Sequence, residues 1–234
     1  NGVAVYAIDE DIGRLLKKAG VSSVSLAIES GSDYVLRKII NKPLKAGMIK
    51  GKTEILKKNG ITVHAFIVLG LPGEMDEHRL ETQNMLLDVG FDWVHIFIGI
   101  PVVGSRLYDI CVENDYLIDK DMKHHIISRA NIKAPGVDPV EIEEAAYKMN
   151  LAVNFVNNWN MSQGRYEKAA SYFKNVAEKY PEHAFAHWFL SKAYEHMGCD
   201  KELIGRHADA FRYSVENNEK WKEYAKHFGL AHNN

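Results

Sequence analysis

The sequence predicts an α/β fold with a parallel sheet, followed by a region built of helices alone. Apolar, β-branched runs alternate with helix-like segments from Val3 to Ile98. Such alternation is typical of βαβ units, whose strands pair in parallel. From Pro139 onward only helical periodicity is present. We therefore expect an α/β domain over residues 1–134 and a helical domain over residues 135–234.

The predicted strands and helices carry ordinary start and stop signals. The strands are expected at Val3–Ile8, Val21–Ile28, Ile61–Leu69 and Phe91–Ile98. The helices are expected from Asp9 to Lys18, around Val35–Ile39, up to Lys58, at Glu77–Val89 and from Ser105 through Ile110. Asp9 and Ser32 can cap helices because their side-chain oxygens accept hydrogen bonds from free backbone N–H groups. Glycines stand where helices end, at Gly20, Gly60 and Gly90.

Composition narrows the class of protein. The chain has 234 residues, a net charge of -2 and 46% hydrophobic residues, enough to bury a sizeable core. No apolar run approaches the roughly 20 residues that span a bilayer, and basic residues are scattered among acidic ones. We therefore expect a cytoplasmic protein that binds neither membrane nor nucleic acid. Cys111 and Cys199 are far apart in sequence, which predicts no disulfide framework and no metal site.

The helical region contains a period of about 34 residues. Small and large residues recur at its characteristic offsets, at Gly164, Tyr166, Ala169, Phe173 and Pro181, and again at Leu190, Ala193, Tyr194 and Gly198. This pattern resembles one complete and one partial tetratricopeptide repeat, between a helix at Val140–Asn158 and a capping helix around Trp221–Phe228. Because about three repeats are needed to bury a continuous core, we expect this region to pack on the α/β part or on a protein partner.

Two loops at strand ends are the candidate ligand-binding features, because α/β folds bind ligands beyond the carboxyl ends of their strands. In the first, Glu29 and Ser30 follow a strand with small residues on one face, and a carboxylate there can accept hydrogen bonds from ribose hydroxyls or an amino group. The alternative is that Glu29 caps the next helix. In the second, the turn at 70–73 permits close approach of the backbone to a flat ring, or is an ordinary tight turn.

Several histidines stand at positions that could bind a ligand. His64 and His95 lie on neighbouring predicted strands and could line a substrate cavity, but we expect them in the core because parallel strands are usually covered on both faces. His183 and His187 are spaced to share one helix face and could hold a metal. We expect surface residues there instead, and a loop at His124-His125.

A family resemblance covers residues 1–117 and 138–158. It is carried by six motifs in register, which are Asn1-Gly2-Val3, the Leu15–Gly20 run, Ile28-Glu29-Ser30-Gly31-Ser32, Leu56–Ile61, Gly70-Leu71-Pro72-Gly73-Glu74 and the Pro101–Tyr108 stretch. Together they look like the latter part of a radical S-adenosylmethionine (SAM) enzyme, most closely the subgroup with an amino-terminal cobalamin-binding domain.

The resemblance implies a partial (β/α) barrel with SAM across its strand ends. The ribose and methionine would lie near Glu29 and Ser30, and the adenine near Leu69, Gly70 and Pro72 and against Ile98 to Pro101. Such enzymes use a [4Fe-4S] cluster to cleave SAM to a 5′-deoxyadenosyl radical, and the Cys-x3-Cys-x2-Cys loop that binds the cluster is not found in this sequence. We therefore expect no catalytic residue or metal ligand here, and an inactive piece of a longer enzyme whose upstream segment binds the cluster and, in this subgroup, cobalamin.

Two departures from the family affect the first predicted strand. Ala4 and Tyr6 stand where family members often carry an arginine and a polar residue. If strands precede it in the whole protein, this strand is an unpaired edge here, so we expect residues 3–8 to fray or to pair with another chain, for example in a homodimer. The alternative function is a non-catalytic tetratricopeptide-type scaffold for protein interaction with a degenerate barrel.

Overall fold

The computed structural model describes residues 2–121 and 129–230. They divide into two compact units, Asn1–Asn150 and Leu151–Asn234. The domain boundary predicted between residues 134 and 135 stays a prediction, and the expected loop at His124-His125 lies outside the described residues. No helix in the described ranges is long and apolar enough to cross a membrane.

A parallel sheet organises the first unit, and within the described residues it has four strands in the order β1-β2-β3-β4. The strands are Val3–Ala4, Ser23–Glu29, Thr62–Leu69 and Trp93–Ile98. Every neighbouring pair is parallel, and Leu69 lies opposite Ile98 in the register of β3 and β4. The α/β fold with a partial (β/α) barrel and an all-helical carboxyl-terminal region is thus confirmed.

The first strand is shorter than predicted. Only Val3 and Ala4 pair with β2, opposite Leu26 and Ala27. Residues 5–7 form a 3₁₀ turn, in which Ile8 N–H donates to the Val5 carbonyl at 3.1 Å. The prediction of a strand to Ile8 was therefore wrong, because the turn buries Val5 and Ile8 completely in the core.

Helices connect the strands and follow the sheet. In the first unit they are α1 (Glu10–Lys18), α2 (Ile49–Lys58), α3 (Asp76–Val89), α4 (Arg106–Glu113) and α5 (Pro139–Leu151), of which the last residue belongs to the second unit. Asp9 and Ser105 accept hydrogen bonds from Ile12 and Tyr108 N–H, as expected of N-caps. Ser32 does not, because its hydroxyl is buried without a hydrogen bond in the described structure.

The two faces of the sheet differ in burial. On one face the side chains of β2 and β3 are buried against helices, among them Leu26, Ile28, Val63 and Ile67. The opposite face is half-exposed and carries His64, Phe66, His95 and Phe97 beside the small residues Ser25 and Ala27. The prediction that His64 and His95 lie in the core was therefore wrong, since the described residues cover this face only in part.

The second unit is built of helices around an aromatic core. They are α6 (Trp159–Ser162), α7 (Tyr166–Lys179), α8 (Ala184–Met197), α9 (Lys201–Asn217) and α10 (Glu219–His227), preceded by a π-helical segment at Ala152–Val156. Phe155, Phe173 and Phe185 are essentially fully buried. Consecutive helices pack on each other from α6 to α10. The tetratricopeptide likeness of this unit stays a prediction.

His183 and His187 are buried, so the prediction of surface positions was wrong. His183 Nδ1 accepts a hydrogen bond from Ala186 N–H at 3.1 Å, which caps α8, and burial lowers the pKa of His183 to about 4. His187 Nε2 lies 2.8 Å from the Pro181 carbonyl oxygen and must donate to it. Its Nδ1 lies 2.9 Å from Nδ1 of His207. These ring nitrogens therefore have their hydrogen-bond partners in another histidine or in the backbone.

Candidate functional site

A cavity of about 780 Å³ opens at the carboxyl ends of β2 and β3. Its lining combines apolar walls with charged groups, and includes Glu29, Tyr34, Lys42, Leu71, Pro72 and Arg106. This size and this mixture of groups are typical of small-molecule sites. Both strand-end loops predicted to bind a ligand thus contribute to one cavity, the first through Glu29 and the second through residues 71–73, with Pro72 among them.

Glu29 is held in an unusual backbone conformation at the end of β2. Its φ is 74°, in the left-handed region, and the register of β2 against β3 shifts between Ala27 and Glu29. Its side chain is 26% exposed and lies 3.3 Å from Lys42 Nζ, which also donates to the Ala27 carbonyl at 2.6 Å. The carboxylate therefore faces the cavity with one oxygen paired to Lys42, and its hydrogen bond goes to this lysine rather than to a helix N-terminus.

The backbone at Glu29 predicts a stability difference between two substitutions. A left-handed conformation costs a non-glycine residue about 1–2 kcal/mol, which glycine does not pay. We therefore expect the free energy of unfolding of Glu29→Gly, measured by urea titration, to be about 1 kcal/mol higher than that of Glu29→Ala. Ala27→Gly is the control, since Ala27 lies in ordinary strand and should lose stability. Equal stability of the two Glu29 variants would contradict a strained Glu29.

Ser30 and Gly31 attach the first loop to helix α3. Thr82 Oγ1 donates to the His78 carbonyl at 2.9 Å, accepts from Gly31 N–H at 2.9 Å and lies 3.0 Å from Ser30 Oγ. A Cβ on Gly31 would lie 2.7 Å from Thr82 Cα, so only glycine fits. Ser30 is completely buried and is not among the residues that line the cavity. Sequence reasoning missed Thr82, because a threonine inside a helix gives no signal of a partner that is 51 residues away.

The second loop is held by a buried carboxylate. Gly70 has φ 80°, and its N–H donates to Glu74 Oε2 at 2.6 Å. A Cβ on Gly70 would lie 2.8 Å from Ile142 Cγ2, so the close approach at this glycine is made by helix α5. The other predicted adenine contacts are buried and are not among the residues that line the cavity, at Leu69, Ile98 and Pro101. Their role in binding a ligand stays a prediction.

The buried carboxyl group of Glu74 has a pKa well above its ordinary value. Its side chain is fully buried, and Oε1 makes no hydrogen bond in the described structure. Burial raises the pKa of Glu74 to about 7, against the opposing effects of the Gly70 N–H and of Arg79, whose Nη1 lies 4.0 Å from Oε2. The turn from Gly70 to Glu74 is therefore held by a carboxyl group that is partly protonated at neutral pH. Sequence reasoning quoted this residue only within a motif.

Aromatic side chains form a cluster on the half-exposed face of the sheet. The rings of His64 and His95 have centroids 5.7 Å apart, and Phe66 lies 5.3 Å from His95 and 5.7 Å from Phe97. Burial lowers the pKa of His95, so its imidazole is neutral at pH 7. This face can therefore offer flat rings and the imidazole of His95 to a molecule within the partial barrel.

The residues present fit a nucleoside ligand and not an iron–sulfur cluster. Within the described ranges no group of three or more potential metal ligands lies together. Cys111 is buried, its pKa raised by burial, and Cys199 belongs to the other compact unit. A [4Fe-4S] cluster needs several cysteine thiolates at one place. The cavity, in contrast, has a carboxylate for hydroxyl or amino groups and an apolar wall for a base.

Comparisons with known proteins find relatives that match part of this chain. Cytidylyl-2-hydroxyethylphosphonate methyltransferase of Streptomyces wedmorensis is 29% identical over 161 residues, 65% of this chain and 30% of that protein. The tRNA-2-methylthio-N(6)-dimethylallyladenosine synthase of Vibrio cholerae is 27% identical over 132 residues, 56% of this chain and 27% of that protein. The chain thus spans less than a third of the length of these relatives.

Among solved structures, coproporphyrinogen III oxidase from Escherichia coli, described as a radical SAM enzyme, matches with a TM-score of 0.47 and 14% identity. This match covers 64% of the present chain and 30% of that chain. The family model described as the radical SAM superfamily matches residues 1–86. The matched residues contain β1 to β3 with the loops of Glu29 and Gly70, so the similarity to the radical SAM superfamily includes both strand-end loops.

Proposed function

We propose that this chain supplies the ribose and adenine side of the SAM site of a radical SAM enzyme. The observation that carries the proposal is Glu29, whose carboxylate faces a cavity at the strand ends within the segment that matches the superfamily. The relatives named as a methyltransferase and a methylthio-group synthase favour a reaction that transfers a carbon or sulfur group.

The chain's own groups would bind and orient the nucleoside. The free oxygen of Glu29 would accept hydrogen bonds from ribose hydroxyls or the amino group of SAM, and Lys42 holds this carboxylate in place. Pro72 offers a flat apolar surface to the adenine. Ser30, Leu69, Gly70, Ile98 and Pro101 would keep this wall in position. When bound, SAM supplies the nucleoside and the carbon–sulfur bond on which such enzymes act.

The cluster would be bound by residues outside these 234, since the sequence has only Cys111 and Cys199. In the proposal this chain therefore works together with an upstream segment of the same protein, which in the cobalamin subgroup also carries the cobalamin domain. The helical unit would offer a tetratricopeptide-like surface to substrate or partner. A cytoplasmic location is part of the same proposal.

Titration of S-adenosylhomocysteine into the chain tests the assignment of Glu29. Charge-assisted hydrogen bonds contribute about 1.5–3 kcal/mol, so we expect Glu29→Ala to weaken binding about tenfold or more in calorimetry. Glu81→Ala is the control, because Glu81 is exposed on α3 and does not line the cavity. Unchanged affinity in Glu29→Ala would contradict the assignment, and absence of binding to the wild type would favour the scaffold alternative.

A further inference from the structure

The cavity beside Glu29 has more positive charge than its carboxylate can balance. Lys38, Lys42 and Arg106 line it, and Glu29 is the only carboxylate among the lining residues that the structure describes. Lys42 already pairs with Glu29. The described lining therefore has a formal excess of two positive charges, three from the basic residues less one from the acid.

Lys38 and Arg106 carry this excess. Both side chains belong to exposed residues, and neither makes an ion pair or hydrogen bond with any described residue. They come from separate parts of the chain, since Lys38 lies in the π-helical segment Val35–Ile39 and Arg106 begins helix α4. Two unpaired cations from different elements thus line one cavity with a strongly apolar wall.

We propose that Lys38 and Arg106 bind the dianionic phosphoryl-type group of a second small molecule, the substrate, in the cavity that Glu29 lines. A dianion matches the excess charge, and a guanidinium and an ammonium are the side chains that bind phosphoryl oxygens most directly. That this molecule is the substrate of the enzyme rests on the proposed function. The anion site itself rests on the charges of the cavity.

The first test compares three probes of similar size in calorimetric titrations of the whole chain. Phenyl phosphate is a dianion, benzoate a monoanion, and benzyl alcohol is neutral. We expect phenyl phosphate to bind most tightly, benzoate more weakly and benzyl alcohol not measurably, with an affinity for phenyl phosphate that falls as salt is added. Equal binding of the three, or none of phenyl phosphate, would overturn the proposal.

Charge-removing variants locate the site. An exposed ion pair contributes up to about 1 kcal/mol, so Lys38→Gln and Arg106→Gln are each expected to weaken phenyl phosphate binding about fivefold. Lys38→Arg keeps the charge and should retain the affinity. Arg37→Gln is the matched control, since Arg37 is an exposed neighbour that does not line the cavity. An equal loss in Arg37→Gln, or no loss in the other two, would refute the assignment.

Repeating the titration in saturating S-adenosylhomocysteine separates this proposal from the proposed function. Retained phenyl phosphate binding supports a second ligand, whereas competition would show that the cations serve the amino acid carboxylate and would overturn the proposal. If S-adenosylhomocysteine fails to bind while the phenyl phosphate results hold, the anion site stands and the SAM assignment falls. If only S-adenosylhomocysteine binds, the proposed function stands and the anion site falls.

Discussion

Replacing Phe173 by alanine is expected to lower the free energy of unfolding of the helical unit by about 3–5 kcal/mol. The Phe173 side chain is completely buried, and its ring centroid lies 5.6 Å from that of Phe155 and 6.0 Å from that of Phe189. Alanine would remove the transfer free energy of the ring and leave a cavity between helices that cannot close fully. The loss is a large part of the total stability of a small unit.

Urea unfolding followed by tryptophan fluorescence measures this loss, since Trp188 and Trp221 report on the same unit through contacts with Phe211 and Phe185. Tyr213→Ala is the matched control, because Tyr213 is 70% exposed and its loss should change the free energy by less than about 0.5 kcal/mol. A Phe173→Ala loss no larger than that of the control would refute the central place of this ring.

Replacing Glu74 by glutamine is expected to change how stability depends on pH. The pKa of Glu74 is about 7 in the folded protein, above its ordinary value of 4.5. Because the folded state binds this proton more tightly, the contribution of Glu74 to stability is largest below pH 4.5 and is lost as pH rises through 7. The difference corresponds to about 3 kcal/mol. Glutamine cannot ionise and keeps a carbonyl oxygen for the Gly70 N–H. The free energy of unfolding of Glu74→Gln should therefore lack the fall that ionisation of Glu74 causes in the wild type.

The measurement is the difference in urea unfolding free energy between Glu74→Gln and wild type at pH 5 and pH 8. We expect the variant to gain on the wild type by about 2–3 kcal/mol between these pH values. The buried His183 contributes in the opposite direction, because its lowered pKa removes stability as pH falls below 6.5, and the difference cancels it. Glu81→Gln is the control. Parallel pH profiles of Glu74→Gln and wild type would contradict a raised pKa.

The fold was predictable where local signals agree. Asp9 caps α1 as predicted and Gly90 ends α3 with φ 66°, whereas Ser32 does not cap the helix that follows it. The strands β2 to β4 follow β-branched runs, since buried parallel strands need apolar side chains. The prediction failed at residues 5–8, where the same apolar residues form a turn, because burial can be reached without strand pairing.

The candidate site was predictable only in part. Glu29 and Pro72 line the cavity, and both were chosen from the ends of predicted strands. Thr82 and Lys42 were not singled out, because their partners are far away in sequence and no local pattern marks them. His64 on β3 and His95 on β4 were predicted to lie in the core. They lie on the face of the sheet that the described residues cover only in part. Side-chain burial on a sheet depends on the neighbouring elements and not on the strand itself.

The sequence by itself determined the order of strands and helices and the two loops at the strand ends. Hydrophobic periodicity, capping residues and glycines act over a few residues and can be read directly. Only the tertiary structure decided that Glu29 has a left-handed backbone, that Ser30 is buried against Thr82, and that Lys38 and Arg106 line one cavity. Those features depend on contacts between distant segments, whose energies no local pattern encodes.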